Sequence, residues 1–550
     1  MIRTVMERFV EQSPAAVMAR LVMQCALHAE SVDDAPRGGN DPDGEQTREL
    51  LCSQIVAAMD ALVQRRRPRA PQWSPSYALS QLGPAVAKLH DSMSRLRPDW
   101  GRALLKDGVG LLLGGGARFG RGGEQVVGGY RLRVLDGERA AVKCTPGPHG
   151  RVHEVALDEP AAGSFARLRA LPVYAPESGM IVDLVPYERG QIHERAFIGS
   201  LLESVGDNEL WIVRGRFGAD ALLGGWPRVG SAFVMQDHGC APAYQTLDDP
   251  REMGELDGGR VYEQRVVLAG SPQTSPTFRR IEWRDREHGE HAASALAILT
   301  NLPNSRLGAH AIVRLLRTQP ERIASLSMDA VFDGAALAEV PPRAALLAVA
   351  ILAIAHNTLI AMVNAVDGEL GLGVRDIERL CVQMASGVGE TYKGMMIALP
   401  PECWRRYDQM IVPEIGEIVR CLAEHVDPRS RRRHKRDRAA SKAQEEGRAL
   451  TLERLLYGHG ETVLTGSFNM RTIAMATRDF SSNPSKALRH ASEAFVMVTK
   501  YNRPIALLVS IEDWNRLMFE VRESGFSRGG DSYVASAPMV DLRRGGSSLN

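Results

Sequence analysis

The sequence predicts an α/β protein with a helical amino-terminal region, a β-rich insertion, and a small α+β module at its carboxyl end. Three observations predict it. Apolar residues recur at helical spacing through much of the first part of the chain. From Tyr130 onward, short β-rich runs alternate with helical ones. Beyond a strongly basic run, a strand, a helix, a hairpin and a final helix follow in a compact order of their own. The resulting organisation is a helical region over 1–129, an α/β domain over 130–425 with its insertion at about 246–300, a basic linker over 426–460, the small module over 461–525, and a flexible tail over 526–550.

In the first region Ser13-Pro14 pairs a helix cap with a first-turn proline, and Val17, Leu21, Val22 and Cys25 fall on one face. Residues 31–46, acidic and rich in Gly and Pro, read as a loop. A second helix over 47–64 ends at Arg65-Arg66-Arg67-Pro68-Arg69, which reads as a solvated helix end. The Gly-rich passage 108–123 lacks the Gly-Lys-Ser/Thr ending of a phosphate loop, and no clear strand feeds it. Residues 1–11 mix charges into their apolar positions, so no signal peptide is expected.

In the second region the expected strands are 131–135, ending at Asp136-Gly137, then 179–186, 209–213 and 231–236, with helices over 194–205 and 219–226 between them. Runs at 260–267, 277–283 and 296–299 form the β-rich insertion, ahead of a helix over 311–324. The most lipid-like stretch, 344–366, contains His356, Asn357 and Asn364, and its unbroken apolar part ends near Ala355, short of the ~20 residues a membrane span needs. It is expected to be a buried core helix, with no membrane partner.

Composition bounds the function. A chain of 550 residues with 44% hydrophobic content can bury several cores. With a formal net charge of +1, any attraction to nucleic acid must come from local patches. The seven cysteines, Cys25, Cys52, Cys144, Cys240, Cys381, Cys403 and Cys421, form no C-x-x-C pair, which argues against a zinc site or a disulfide framework. A reducing, cytoplasmic setting is expected.

Residues 1–425 carry, in order, Met1-Ile2-Arg3-Thr4-Val5-Met6 with Arg8-Phe9, Val134-Leu135-Asp136-Gly137, Val182-Asp183-Leu184-Val185-Pro186, Glu209-Leu210-Trp211-Ile212, Asn301-Leu302-Pro303, and Ile397-Ala398-Leu399-Pro400-Pro401-Glu402. By the shared order and spacing of these motifs the region resembles the DDE transposases of bacterial insertion sequences, in the IS-four family. The resemblance implies an RNase H-like core in which three carboxylates hold two magnesium ions for strand cleavage and joining. Asp136 stands where the first acid belongs. At the second, the stretch Trp211-Ile212-Val213-Arg214-Gly215-Arg216-Phe217 places Arg214 in the acid's position, and a guanidinium there repels divalent cations. At the third, the helix reads Leu315-Leu316-Arg317-Thr318-Gln319-Pro320-Glu321-Arg322-Ile323-Ala324, with Leu316 for the expected Tyr and Ile323 or Ala324 for the Glu. Glu321 and Asp329 lie half a turn or more away, and Pro320 is expected to disturb that turn. Asp183 is on a separate strand, outside the implied triad. Asp136 is thus the remnant first acid, and a metal ligand only if a site is retained.

The small module runs from an extended stretch at 470–476 through Asp479-Phe480-Ser481-Ser482-Asn483-Pro484, where Asn483 caps a helix with Pro484 at its first position. Strands over 495–500 and 504–510 then form a hairpin through Tyr501-Asn502-Arg503, and Ser510 with Asp513 forms a capping box for a last helix through Trp514 and Leu517. With its Phe-x-x-Asn-Pro, Val-x-Val-Thr and Val-Ser-Ile-Glu-Asp-Trp steps in order, this stretch resembles the Phd/YefM antitoxin family. That resemblance implies a homodimer through this domain, operator DNA as partner, and a tail that masks a small toxin. The implied DNA-facing residues are Arg471, Thr477, Arg478, Ser481, Asn483 and Lys486, whose groups suit phosphate contacts; the same types also serve as caps and solvated helix residues. The tail from Arg522 is rich in Gly, Ser and Arg, which supports a toxin-wrapping helix poorly.

Between the two resemblances lies Asp427-Pro428-Arg429-Ser430-Arg431-Arg432-Arg433-His434-Lys435-Arg436-Asp437-Arg438. Arg431, Arg432, Arg433, Lys435 and Arg436 are candidates for salt-sensitive, non-specific phosphate contacts. The expectation is a dimeric protein that binds double-stranded DNA without a catalytic triad and without a cofactor. Two alternatives stand beside it: an active, magnesium-dependent transposase, and an antitoxin that neutralises a small toxin.

Overall fold

The computed structural model describes residues 2–28, 45–64, 100–114, 119, 126–136, 144–146, 152–154, 168–188, 195–214, 224–226, 230–237, 244–268, 277–285, 296–324, 342–370, 374–426, 453, 455, 472–491, 495–500 and 503–510. Residues 31–44 of the expected acidic loop, the basic run at 65–69, most of the expected linker and tail, and the last helix after Ser510 lie outside the described residues, whereas Glu45 and Gln46, expected in that loop, already belong to the following helix. The chain forms two compact units, one of residues 18–389 with 406–424 and one of residues 1–17, 390–405 and 425–550.

The amino-terminal region is helical, with α1 (Ile2–Gln12), α2 (Pro14–Ala26), α3 (Glu45–Gln64) and α4 (Trp100–Gly114). Pro14 opens α2 as expected. The Ser13 carbonyl accepts from Ala16 N (3.0 Å), but the Ser13 hydroxyl makes no capping bond, so the cap is made by backbone alone. The start of the Gly-rich passage belongs to α4: Gly108 is a helix-contact residue, at which a Cβ would overlap the Ala26 carbonyl. Close packing, rather than a phosphate cradle, accounts for that glycine.

The larger unit is built on one mixed sheet. Its strands are β1 (Val126–Val127), β2 (Tyr130–Asp136), β5 (Leu168–Ala175), β6 (Met180–Glu188), β7 (Glu209–Arg214), β8 (Ala232–Asp237), β9 (Tyr244–Thr246), β10 (Arg251–Leu256), β11 (Gly259–Leu268), β12 (Phe278–Asp285) and β13 (Leu296–Thr300); β3 (Cys144–Pro146) and β4 (Val152–Glu154) pair separately. The order across the main sheet is β10-β11-β12-β13-β8-β7-β2-β5-β6, with β1 on β2 and β9 on β11. Among the described strands of this sheet only the β2–β7 and β7–β8 pairs are parallel; β6-β5-β2 on one side and β8-β13-β12-β11-β10 on the other pair antiparallel.

One face of the sheet buries Leu135, Trp211, Val213, Phe233 and Met235 against Ile198 and Leu201 of α5 (Arg195–Glu203). The insertion strands β9–β13 extend the sheet beyond β8 and are followed by α6 (Ala309–Ala324). That helix continues through Pro320, so the expected break does not occur. A proline inside a helix removes one backbone hydrogen bond without necessarily ending it.

The lipid-like stretch lies in α7 (Pro342–Leu370), which packs on β5, β6, α3 and α4 and on α9 (Val412–Ala423). Its apolar part extends over Leu346–Gly368, long enough to span a bilayer, so the length argument alone does not decide; 94% of its most apolar window is buried inside the protein. The polar residues explain how. Asn357 donates to Ile181 O (2.8 Å) and accepts from Ile181 N (2.7 Å), satisfying the open edge of β6. His356 Nε2 bonds Gly179 O (2.9 Å), and Asn364 donates to Ser178 O (2.9 Å) in the β5–β6 turn. α8 (Val374–Ala398) ends where Pro400 and Pro401 turn the chain into a short 3-10 helix.

In the smaller unit β14 (Thr472–Ala476) leads through α10 (Thr477–Ser482) and α11 (Pro484–Ala491) to β15 (Phe495–Lys500), which pairs parallel to β14 and antiparallel to β16 (Arg503–Leu508). Met475, Ala487, Ala491 and Val496 form its core, with Phe480 and Leu508 packed against them. Asn483 Oδ1 accepts from Lys486 N (3.0 Å), the expected cap.

Candidate nucleic-acid interface

Two regions hold the candidate residues, and they differ in kind. The first is the edge of the main sheet where its parallel strands end. The second is the α10–α11 surface of the small module.

Asp136 is the last residue of β2 and Arg214 the last residue of β7, and the two are direct partners in the parallel register. Asp136 and Arg214 are thus neighbours at the carboxyl ends of adjacent strands. The third position lies elsewhere on that edge. Thr300, ending β13, pairs with Val234 near the start of β8 and with Arg279 near the start of β12. The helix α6 leaves from that side, and Arg317 reaches Asp257 in the β10–β11 turn (3.2 Å) and lies over Trp283 near the end of β12 (4.7 Å). Ile323 and Ala324 follow further along the same helix. The helix lies over β10, β11 and β12. From β12 to β2 is four strand steps, roughly 19 Å at ~4.8 Å per step. Asp136 and Arg214 are brought together by the register, whereas the helix that carries Ile323 and Ala324 lies over other strands.

Other acids near this edge are already engaged. Asp183 is buried; Arg102 donates through Nε and Nη2 to its Oδ1 and Oδ2 (2.6 and 2.8 Å), with Lys106 Nζ 3.3 Å away. It is a structural ion pair. Asp237, which sequence reasoning did not single out, ends β8. It accepts from Tyr244 Oη (3.0 Å) and lies 3.5 Å from Arg280 Nε, and Arg280 is also paired with Glu282. Burial, together with the Asp237 carboxylate, raises the Tyr244 phenol above its ordinary range. Register separates Asp237 from the Asp136 position as well: Val213 pairs with Met235, so Gln236 falls beside Arg214 and Asp237 takes the opposite face. Among the described residues, no group of three or more His, Cys, Asp or Glu side chains is arranged to hold a metal ion.

The motifs between these positions act as joints. Asn301 accepts from Phe233 N (2.9 Å) and donates to Ser231 O (3.3 Å), tying the end of β13 to the start of β8. Buried Glu209 accepts from Arg133 Nε, Trp211 Nε1 and Gly206 N (2.9 Å each), which makes it a joint of the fold.

On the small module Arg478, Ser481, Asn483 and Lys486 are exposed and Thr477 is partly buried. Arg489, which sequence reasoning passed over, is exposed three residues beyond Lys486, on the same helical face. The i, i+3 spacing from Lys486 was the signal available for it. Arg471, Arg431, Arg432, Arg433, Lys435 and Arg436 lie outside the described residues.

The insertion strands are not a basic surface. Arg265 is paired with Asp248 (2.8 Å), whose carboxyl is held below its usual range by that hydrogen bond, Arg279 with Glu263 (2.7 Å), and Arg284 with Glu282 (2.6 Å). No known family model matches the chain, and no curated protein is similar to it.

Proposed function

We propose that this chain is a double-stranded DNA-binding protein derived from an insertion-sequence transposase, without strand-cleavage chemistry, and joined to a Phd/YefM-like operator-binding module through which it dimerises. The observation that carries the reading is the pairing of Asp136 with Arg214 at the ends of β2 and β7. Two-metal phosphoryl transfer needs carboxylates converging on shared cations. Here the neighbour of the one remaining acid is a permanent cation, and Ile323 or Ala324 offers no ligand.

The topology supports the transposase ancestry. Read as β6-β5-β2-β7-β8, the sheet has three antiparallel strands followed by two parallel to the first in sequence, an order that supports the RNase H-like reading. A β-rich insertion follows the fifth of these strands and precedes the helix that carries the third position, as the resemblance implies. The small module supports the second half of the reading, with its βαβ unit, Asn483 cap and hairpin in the expected order.

A mobility-shift titration of the purified full chain against its own upstream region and against an unrelated duplex tests the reading. Salt-sensitive retention of duplex DNA by a dimer is expected, tighter for the upstream region. A monomer that retains neither duplex at low salt contradicts it.

A further inference from the structure

The three-stranded sheet of the small module has two faces, and α10 and α11 cover one of them. Met475, Ala487, Ala491 and Val496 meet there, with Phe480 and Leu508 packed against them. Side chains alternate along a strand, and Val496 is the register partner of Leu508, so Met497 and its own partner Leu507 belong to the opposite face. Met497 is nevertheless only 2% exposed. The second face is therefore covered as well.

The first helix of the chain reaches that part of the sheet. α1 packs on β16, the edge strand that carries Leu507, and both belong to the smaller unit. Val5, Met6, Phe9 and Val10 are all buried, and their spacing places them on one side of α1. Glu11, on the other side, is exposed. An amphipathic helix from one end of the chain thus lies against a sheet from the other end. Apolar surface left open on such a sheet is a site for association, and its edge strand adds unpaired backbone groups to the hazard.

We infer that α1 is an intramolecular cover for the small module. Docked, it closes the second face of the β14-β15-β16 sheet; released, it leaves that face open to a second copy of the chain. The device is independent of DNA binding, and it adds to the proposed dimer a face that stays closed while α1 is in place.

The test is hydrogen exchange on the full chain, read peptide by peptide, with sedimentation of the same samples. Phe9→Asp puts a carboxylate into the apolar side of α1. It should speed exchange at 503–508 by about tenfold or more, since an unpaired charge strongly disfavours the docked helix. Exchange at 209–214 in the larger unit should stay as it is, and the average mass at equal concentration should rise. Unchanged exchange at 503–508 overturns the contact. Faster exchange there without a rise in mass overturns the masking role. Should Phe9→Asp also lose protection at 209–214, the reverse variant Leu507→Asp decides: faster exchange at 2–12 supports the cover, and unchanged exchange there overturns it.

Discussion

Asp183 holds three donors, the Arg102 fork, the Lys106 ammonium and its neighbour Leu184 N, so a residue within a resemblance-bearing motif serves the fold. Arg102→Met would leave a buried carboxylate short of its main partner, a change that costs about 3 kcal/mol. A fall in the denaturant midpoint checks it, and an unchanged midpoint contradicts the joint. Asn357 has a similar role for backbone. Asn357→Leu leaves both the amide and the carbonyl of Ile181 without their partner and is expected to cost about 2–3 kcal/mol, measured the same way. Burial pushes the Cys25 thiol up from 9.0 to about 12, with nearby Asp408 adding to the effect. Because the folded value is the raised one, this contribution to stability is complete below pH 9 and is lost as pH rises toward 12. Folded protein should therefore resist thiol alkylation at Cys25 at neutral pH, whereas unfolded protein reacts. Local chemistry was legible at this scale: Asn483 before Pro484 announces its cap within three residues. His356 and Asn357 were legible only as interruptions of an apolar run, because their partners lie 177 and 176 residues away.

Elements with regular patterning were readable, and those with irregular patterning were not. The strands β2, β7, β8, β11, β12 and β13 alternate or run apolar between turn signals, and the expected spans match them closely. β5 was missed because Pro172 interrupts it and no turn signal announces its start, yet it pairs along its whole length with β6. β10 was missed because it is a polar edge strand with a bulge: Gly254 has φ +118° and the register shifts between Glu252 and Gly254. Such a bulge twists an edge away from unwanted pairing. The start of the Gly-rich passage is helical, and the close approach of Gly108 to Ala26, which no local pattern encodes, accounts for that glycine. Gly108→Val should force the two helices apart at a cost of about 2–3 kcal/mol, and a lowered thermal midpoint in that variant against a raised one in Gly110→Ala, where alanine adds helix propensity in open space, checks the assignment. Gly110, at which a Cβ would meet nothing, is the matched control.

At the scale of the whole molecule, charge is local rather than global. The chain is nearly neutral, with net charge +1, and the insertion strands spend their arginines on neighbouring acids. On the proposed reading, affinity for DNA comes from the small module and from the basic run at 429–438. Deleting residues 429–438 is expected to lower the salt slope by several units while leaving the preference for one duplex over another in place, because phosphate contacts carry no sequence information. The candidate site was partly legible in the sequence. Residue order identified Asp136 and Arg214 as a pair of positions, but only the parallel register of β2 and β7 makes them neighbours, and only the lie of α6 across the insertion strands separates Ile323 and Ala324 from them. The separation follows from how far the sheet extends beyond β8, which no local pattern encodes. The central claim, that this protein holds DNA without cutting it, is tested most directly by incubating the full chain with supercoiled plasmid carrying its own upstream region, in magnesium, and resolving the products on a denaturing gel. Intact plasmid at protein concentrations that saturate binding is the result expected here. Magnesium-dependent nicking that disappears in Asp136→Ala would contradict it.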